Sequence, residues 1–367
     1  MKKVAVITML ICSLTIGCTT SNNHQNSVPS SAAPKQTQPT ASSEVESFSD
    51  KVDAYLHKLK FTGSVLLAKK GNVLVRQGYG MANLQKNTPN TPNNIFLIGS
   101  VTKQFTALAI MQLQEQGKLN VKDPVHKYLP DYPHGDVITI HHLLTHTSGI
   151  PNYTTFPDFM ETIGQQVTVE QNLDKFKDKP LNFAPGNKYQ YSNSGYIVLG
   201  AIIERVSKQT YENYIYEHIF KPLGMNDSGF RDDGIANKQF AVGYTNGLDT
   251  PSEALFVDKS IAYSAGAIYS TIDDLYKWDR SLYTEQLIKK TSAEAMFTPF
   301  KDNYAYGWIV EDEERKIYAH NGNINGFVAY LKHYTLDDMT VIVLSNNDSI
   351  DIKRIGDTLG KLLEANP

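Results

Sequence analysis

Apolar residues between positions 45 and 59 recur at helical spacing, with Val52, Tyr55, Leu56 and Leu59 on one face, which predicts an amphipathic helix. The pattern then changes period. Gly63-Ser-Val-Leu-Leu-Ala-Lys, the turn residues Lys70-Gly71-Asn72 and Val73-Leu-Val-Arg-Gln-Gly-Tyr read as two strands joined by a tight turn. Helical spacing returns from residue 100 to about 117 and again over 195–206 and 211–219, between loops broken by Pro and Gly. Beyond Asp279 strand-like runs take over, at 305–310, 316–319, 326–334 and 339–345, and a last helical stretch covers 352–363. Strands at both ends of the chain pair most simply in one antiparallel sheet flanked by the N- and C-terminal helices. The middle then forms a mainly helical lobe, an α+β arrangement with a cleft where a site commonly lies. There is no internal repeat.

The first 44 residues follow another logic. Lys2 and Lys3 precede an apolar run from Val4 to Ile16 that is short for a bilayer span, and Gly17-Cys18 follows. Such a segment reads as an export signal. A Cys after a small residue at its end resembles a bacterial lipoprotein cleavage site, where the thiol of Cys18 would be acylated, although Thr15 stands where Leu is usual. Residues 19–43 are rich in Ser, Thr, Asn, Gln and Pro and predict a flexible tether. The expected plan is a lipoprotein-type signal over 1–18, a disordered polar tether over 19–44 and a folded domain over 45–367. That plan places the protein on a bacterial cell membrane, lipid-anchored and facing outward, as a monomer.

Composition narrows the chemistry. The 367 residues include 41% hydrophobic and 20% charged side chains, with 35 basic against 38 acidic groups and a net charge of −3. Cleavage before Cys18 removes Lys2 and Lys3 and leaves 33 − 38 = −5. No basic excess exists to neutralise phosphates, so nucleic acid is not an expected partner. Both cysteines, Cys12 and Cys18, lie in the leader. The folded domain therefore has no thiol nucleophile, thiolate metal site or disulfide.

Three short segments carry candidate chemistry. In Phe96-Leu-Ile-Gly-Ser100-Val-Thr-Lys103, a Ser at a helix start and a Lys three residues on share one helix face. A hydroxyl needs a base, and a Lys serves as one when burial and the helix N-terminus lower its pKa. In Pro185-Gly-Asn-Lys-Tyr-Gln-Tyr191-Ser-Asn193, the phenol of Tyr191 beside an ammonium group can ionise more easily and pass a proton, while the Asn193 amide suits a peptide or amide substrate. Tyr-x-Asn also occurs at Tyr211 and Tyr244, but only Tyr191 sits in a Pro/Gly-opened loop leading into a helix. In His320-Asn-Gly322-Asn323, on or beside a predicted strand, a Gly lets a substrate approach the backbone, and edge N–H groups can hold an oxyanion.

Together these segments resemble the serine β-lactamase and penicillin-binding-protein superfamily, in its class C β-lactamase-related branch of D-alanyl-D-alanine carboxypeptidases, D-aminopeptidases and carboxylesterases. The stretches Ile140-His-His-Leu-Leu-Thr-His-Thr-Ser-Gly149, Pro222-Leu-Gly-Met225 and Ser264-Ala-Gly-Ala-Ile-Tyr-Ser-Thr271 match as well, so the resemblance runs from residue 45 to the C-terminus. It implies a β-lactamase/transpeptidase-like fold, no cofactor and an acyl-enzyme on Ser100. It further implies proton transfer by Lys103 and Tyr191, substrate binding by Asn193, His320 and Gly322, and an oxyanion hole from the N–H groups of Ser100 and Asn323. Which of Lys103 and Tyr191 takes the serine proton stays open at this level. The natural substrate stays open too: D-amino-acid peptides of the cell wall, small esters or β-lactams.

One position departs from the pattern. His320 stands where β-lactamases carry Lys, and a neutral imidazole gives no fixed partner for a substrate carboxylate. Weak β-lactam turnover is therefore expected, rising as His320 protonates toward pH 6. His141, His142 and His146 could suggest a metal site, but a zinc protease would carry Glu at 143, which is Leu143, and no metal is expected. A module that binds cell-wall peptides or penicillins without catalysis is the competing reading. The presence of all three of Ser100, Lys103 and Tyr191 counts against it.

Overall fold

Ser47 caps the first helix of the computed structural model, which describes residues 47–230, 239–247 and 250–366. Its side chain accepts from Asp50 N while Asp50 reaches back to the Ser47 N–H, a reciprocal capping box. Helix α1 (Phe48–Lys58) buries Val52 and Leu56. Strands β1 (Gly63–Lys69) and β2 (Asn72–Tyr79) follow. Their turn is tighter than expected. Lys70 and Gly71 both take positive φ, 53° and 75°, and Asn72 already pairs with Lys69. Positive φ at both turn residues matches the twist of a two-residue hairpin.

The middle of the chain is mainly helical, as the spacing predicts. Helix α2 (Thr102–Glu115) is buried at every position from 102 to 113. It is wrapped by α3 (Asn193–Ser207), α4 (Lys259–Gly266) and α5 (Ile272–Ser281). Trp278 of α5 stacks on Phe105 of α2 with centroids 4.3 Å apart and donates its indole N–H to Gln104 Oε1 at 2.9 Å. Two features of this lobe escape the periodic reading. Phe96–Leu97, Ile268–Ser270 and Gly229–Phe230 form a small three-stranded sheet. The helix expected over 211–219 passes into a π turn at Tyr216–Phe220.

The C-terminal part supplies β3 (Ile309–Asp312), β4 (Ile317–Ile324), β5 (Phe327–Tyr334), β6 (Met339–Ser345) and helix α6 (Ile352–Glu364). All strands of the main sheet pair antiparallel in the order β3-β4-β5-β6-β1-β2. Alternate residues face opposite sides. Leu66 and Ala68 of β1 with Ile342 and Leu344 of β6 pack toward the lobe. Val65, Leu67, Val341 and Val343 pack against α1 and α6. On α6 the buried residues Ile352, Ile355, Leu359 and Leu363 form one stripe, each fully buried aliphatic contributing about 1.5–3 kcal/mol.

Two strand boundaries differ from expectation for local reasons. The run at 305–310 becomes a strand only at Ile309, because Gly307 takes φ +77° where its backbone meets Lys103 O. The strand read over 316–319 continues to Ile324, paired to Phe327. Its last residues, His320-Asn-Gly-Asn-Ile, lack the apolar alternation that marks a strand. The described residues form one compact unit. The signal, Cys18 and the tether lie outside the described residues. Among the described residues no helix is long and apolar enough to cross a membrane.

Candidate active site

Ser100 lies in a single 3₁₀ turn, Gly99–Val101, that feeds α2. This turn is pressed against β4. A Cβ on Gly322 would fall 1.9 Å from Ile98 O and 3.1 Å from Ser100 N, and a Cβ on Gly99 would fall 2.8 Å from Asn323 N. Only glycine fits either position. The open face of Gly322 is thus occupied by the chain's own backbone, not left for a substrate as the sequence reading supposes. Its effect is to bring the main-chain N–H groups of Ser100 and Asn323 close together.

Lys103 follows one turn later and is completely buried. Its Nζ lies 3.0 Å from Ser100 Oγ, 2.8 Å from Asn193 Oδ1 and 2.8 Å from Ala265 O. All three partners are neutral. Burial holds the amine well below the usual lysine range, because nothing in its shell repays the lost hydration of a charge. The rings of Tyr191 and Tyr196 lie 4.9 and 5.3 Å from Nζ and favour a cation modestly, less than desolvation opposes it. As a neutral amine Lys103 satisfies every contact: two N–H bonds to Asn193 Oδ1 and Ala265 O, and a lone pair for the Ser100 hydroxyl proton.

Tyr191 donates its hydroxyl to Ser100 Oγ at 2.7 Å. Burial raises its pKa, with the Ser100 contact a smaller opposing effect. Tyr191 therefore remains a phenol. The easier ionisation expected beside an ammonium does not arise, because the neighbouring amine is itself pushed toward neutrality. Asn193 opens α3. Its Oδ1 accepts from Lys103, its Nδ2 donates to Thr154 Oγ1 at 3.2 Å, and its N–H donates to Asn152 Oδ1 at 3.0 Å. Both ends of the amide are thus oriented from within, while the residue still lines the cavity over Ser100.

His320 sits on β4 behind Tyr191, 2% exposed. Its Nδ1–H donates to Asn321 O at 2.7 Å, and its Nε2 accepts from Tyr304 Oη at 3.0 Å. Both nitrogens are spent inside the protein. Burial, then the Lys103 side chain, push its pKa down to about 3. The expected gain of a substrate contact near pH 6 therefore falls: the imidazole is neutral there and has no free nitrogen.

His146 has the largest role that the sequence reading leaves out. Its carbonyl accepts from Gln190 N at 2.9 Å, and its Nδ1 accepts from Ser192 N at 3.2 Å. One residue thereby holds the main chain on both sides of Tyr191, with its ring centroid 4.2 Å from the phenol ring. His141 and His142 serve elsewhere, His141 Nδ1 with Tyr306 Oη at 2.8 Å and His142 Nδ1 accepting from Thr139 N at 3.2 Å. Among the described residues no group of His, Cys, Asp and Glu is set to hold a metal ion. The second unanticipated contributor is Ala265 O. Helix α4 is interrupted at Tyr263, with φ 38° and ψ −133°, an uncommon conformation for a non-glycine residue. Lys103 binds the carbonyl just beyond this break. Ser264-Ala-Gly and the His146 stretch both stand among the segments that carry the resemblance, but their residue types alone assign no task.

The cavity over Ser100 has a volume of about 240 Å³ and is walled by Gly99, Tyr153, Asn193, Ala265 and Asn323 among others. A serine hydroxyl in contact with a buried amine and a phenol is a recurrent acyl-transfer geometry. Residues 48–362 match the family model described as Beta-lactamase. The chain belongs to the β-lactamase family. It is 32% identical over 316 residues to a penicillin-binding protein of Bacillus subtilis (strain 168), covering 79% of this chain and 69% of that one. It is 30% identical over 317 residues to the teichoic acid D-alanine hydrolase of Staphylococcus aureus (strain MRSA252), covering 83% and 76%. Among solved structures, the octameric penicillin-binding protein homologue from Pyrococcus abyssi superposes with a TM-score of 0.76 at 31% identity, covering 88% of this chain and 78% of that one. The β-lactamase-type fold is therefore the observed one, and family and relatives support a serine hydrolase.

Proposed function

We propose that this protein is a serine hydrolase of the class C β-lactamase-related type, acting at the outer face of a bacterial envelope. In this reading it opens ester or amide bonds of D-amino-acyl groups through an acyl-enzyme on Ser100. The observation that carries the reading is the double contact on Ser100 Oγ, with Lys103 Nζ at 3.0 Å and Tyr191 Oη at 2.7 Å. Lys103, whose affinity for a proton burial lowers, takes the hydroxyl proton as Oγ forms its bond to the substrate carbonyl carbon. The carbonyl oxygen gains negative charge and lies against the N–H groups of Ser100 and Asn323. Tyr191, kept protonated by burial, donates to the departing oxygen or nitrogen, and the proton held on Lys103 restores it. Water then cleaves the acyl-enzyme by the reverse path.

The neutral, internally bonded His320 supports substrates that present no carboxylate at that position, hence esters and D-amino-acyl groups ahead of β-lactams. A relative that is a teichoic acid D-alanine hydrolase supports the same preference. Lipidation at Cys18 and a tether ending near Ser43 would hold the domain within reach of envelope polymers. A fluorophosphonate probe is expected to label Ser100, with labelling and ester turnover both abolished in Ser100→Ala. Covalent label on another residue would refute the assignment. Labelling without turnover of any ester, D-amino-acyl amide or β-lactam would favour the binding module instead.

A further inference from the structure

A second cavity, of about 370 Å³, adjoins the one over Ser100. Tyr153 and Phe159 line both, and their rings meet edge to face with centroids 5.6 Å apart. Tyr153 is fixed in place, because its hydroxyl donates to Ile261 O at 2.5 Å. A ligand that covers Ser100 and extends past this aromatic pair enters the second cavity.

The far side of that cavity carries Lys175 and Lys179. The Lys175 ammonium is withdrawn from solvent and has no hydrogen-bond partner among the described residues. Asp158, also on the wall, acts on it only at longer range, and burial is the larger influence. The Lys179 ammonium lies over the Phe156 ring, 5.0 Å from its centroid. Other lysines are treated differently, one beside it in sequence and one in the main sheet. Lys177 is paired with Asp174, and the largely buried Lys332 sits between Glu311 and Asp357 at 2.7 and 3.1 Å. A partly buried ammonium with no hydrogen-bonded partner, and only the more distant Asp158 carboxylate to balance its charge, is costly to the fold, and an anion entering the cavity would offset that cost. The long, flexible lysine stem lets the ammonium turn onto such a ligand.

We propose that the Lys175–Lys179 cavity is an anion subsite that holds a carboxylate or phosphate on the part of the substrate remote from the scissile bond. This rests on the hydrolase reading above and deepens it: the preferred substrates are acyl esters or amides whose alcohol or amine portion is anionic. Cleavage of three D-alanyl esters by the full chain tests it, namely those of glycerol, glycerol phosphate and glycolate. The wild-type protein is expected to favour at least one anionic ester over the glycerol ester by about tenfold in kcat/KM, the scale of one charge-assisted contact. Whichever anionic ester leads identifies phosphate or carboxylate as the group held. Lys175→Gln and Lys179→Gln should each reduce that advantage, and Lys175→Arg should retain much of it. The glycerol-ester rate should stay at the wild-type level in all three variants, which also reports correct folding. An anionic advantage absent from the wild type, or surviving the double Gln variant, overturns the subsite while leaving the hydrolase standing. No turnover of any of the three esters would also overturn the subsite as a determinant of ester choice, while the hydrolase reading is decided separately by Ser100 labelling and turnover across esters, D-amino-acyl amides and β-lactams.

Discussion

His320 offers a direct measurement of how this site is held neutral. Its pKa is pushed down to about 3 in the folded protein, against about 6.5 for an unfolded chain. The folded state thus refuses a proton that the unfolded state accepts below pH 6.5. Stability from the neutral imidazole is fully present above that pH and is lost as pH falls from 6.5 toward 3. Linkage gives the size: at pH 5 the unfolded chain is stabilised by RT ln(1 + 10^1.5), about 2 kcal/mol, while the folded chain gains almost nothing. His320→Gln retains an acceptor for the Tyr304 hydroxyl and a donor for Asn321 O but cannot titrate. Urea unfolding of both proteins at about pH 7.5 and pH 5 reads the effect, since titrating groups away from His320 are common to both; His146, on which His320 acts, is the one neighbour whose titration the substitution also shifts. The wild type should lose about 2 kcal/mol more than the variant over this interval. Equal losses would mean that His320 protonates normally in the folded state and that its two internal hydrogen bonds do not fix its charge. In the same range the ratio of β-lactam to ester turnover should stay flat down to pH 6, since the imidazole does not charge there.

Lys103→Met should lower kcat/KM by about 10²-fold or more. It should also raise the thermal midpoint, with a gain larger at pH 7 than at pH 9.5, because the folded state disfavours the proton that the unfolded lysine keeps below 10.5. Tyr191→Phe should cost about 10²-fold in kcat/KM, and the double variant should be little worse than the poorer single one, since both groups serve one proton path. A Tyr191→Phe protein with wild-type rates on every substrate would reduce that residue to a packing role. Cys18→Ser should release the protein from the membrane fraction, and unchanged attachment would exclude the lipid anchor.

The parts of this fold legible in the sequence are those built from local periodicity. Short, mainly apolar runs mark β1, β5 and β6 as strands, and they lack polar alternation because one face packs on the lobe and the other on the terminal helices. The α6 stripe is equally plain. Helix α2 is harder to read, since burial on every side leaves it no polar face. The end of β4 is invisible to pattern, because Asn321, Gly322 and Asn323 are placed by the 3₁₀ turn that packs on them rather than by their own strand preference. Ser100 and Lys103 are readable as a pair because a three-residue helical spacing is itself geometry. Tyr191 is readable as a type but not as a position. What places it, the carbonyl and imidazole of His146, comes from a segment more than forty residues earlier.

The charge states are the deepest layer and the least local. A Ser-x-x-Lys spacing says that an amine can reach a hydroxyl, but an exposed lysine at that spacing would be charged and useless as a base. Lys103 becomes a base because three separate segments close around it: the turn at Ser100, the start of α3 at Asn193, and the carbonyl of Ala265 beyond the break at Tyr263. None of them brings a carboxylate. His320 is turned so that its lone pair faces Tyr304 and not the amine. The depressed affinity for a proton is therefore a property of the assembled lobe–sheet junction. Any change that lets water or a carboxylate reach Lys103 should restore its charge and silence Ser100, even with every motif residue intact.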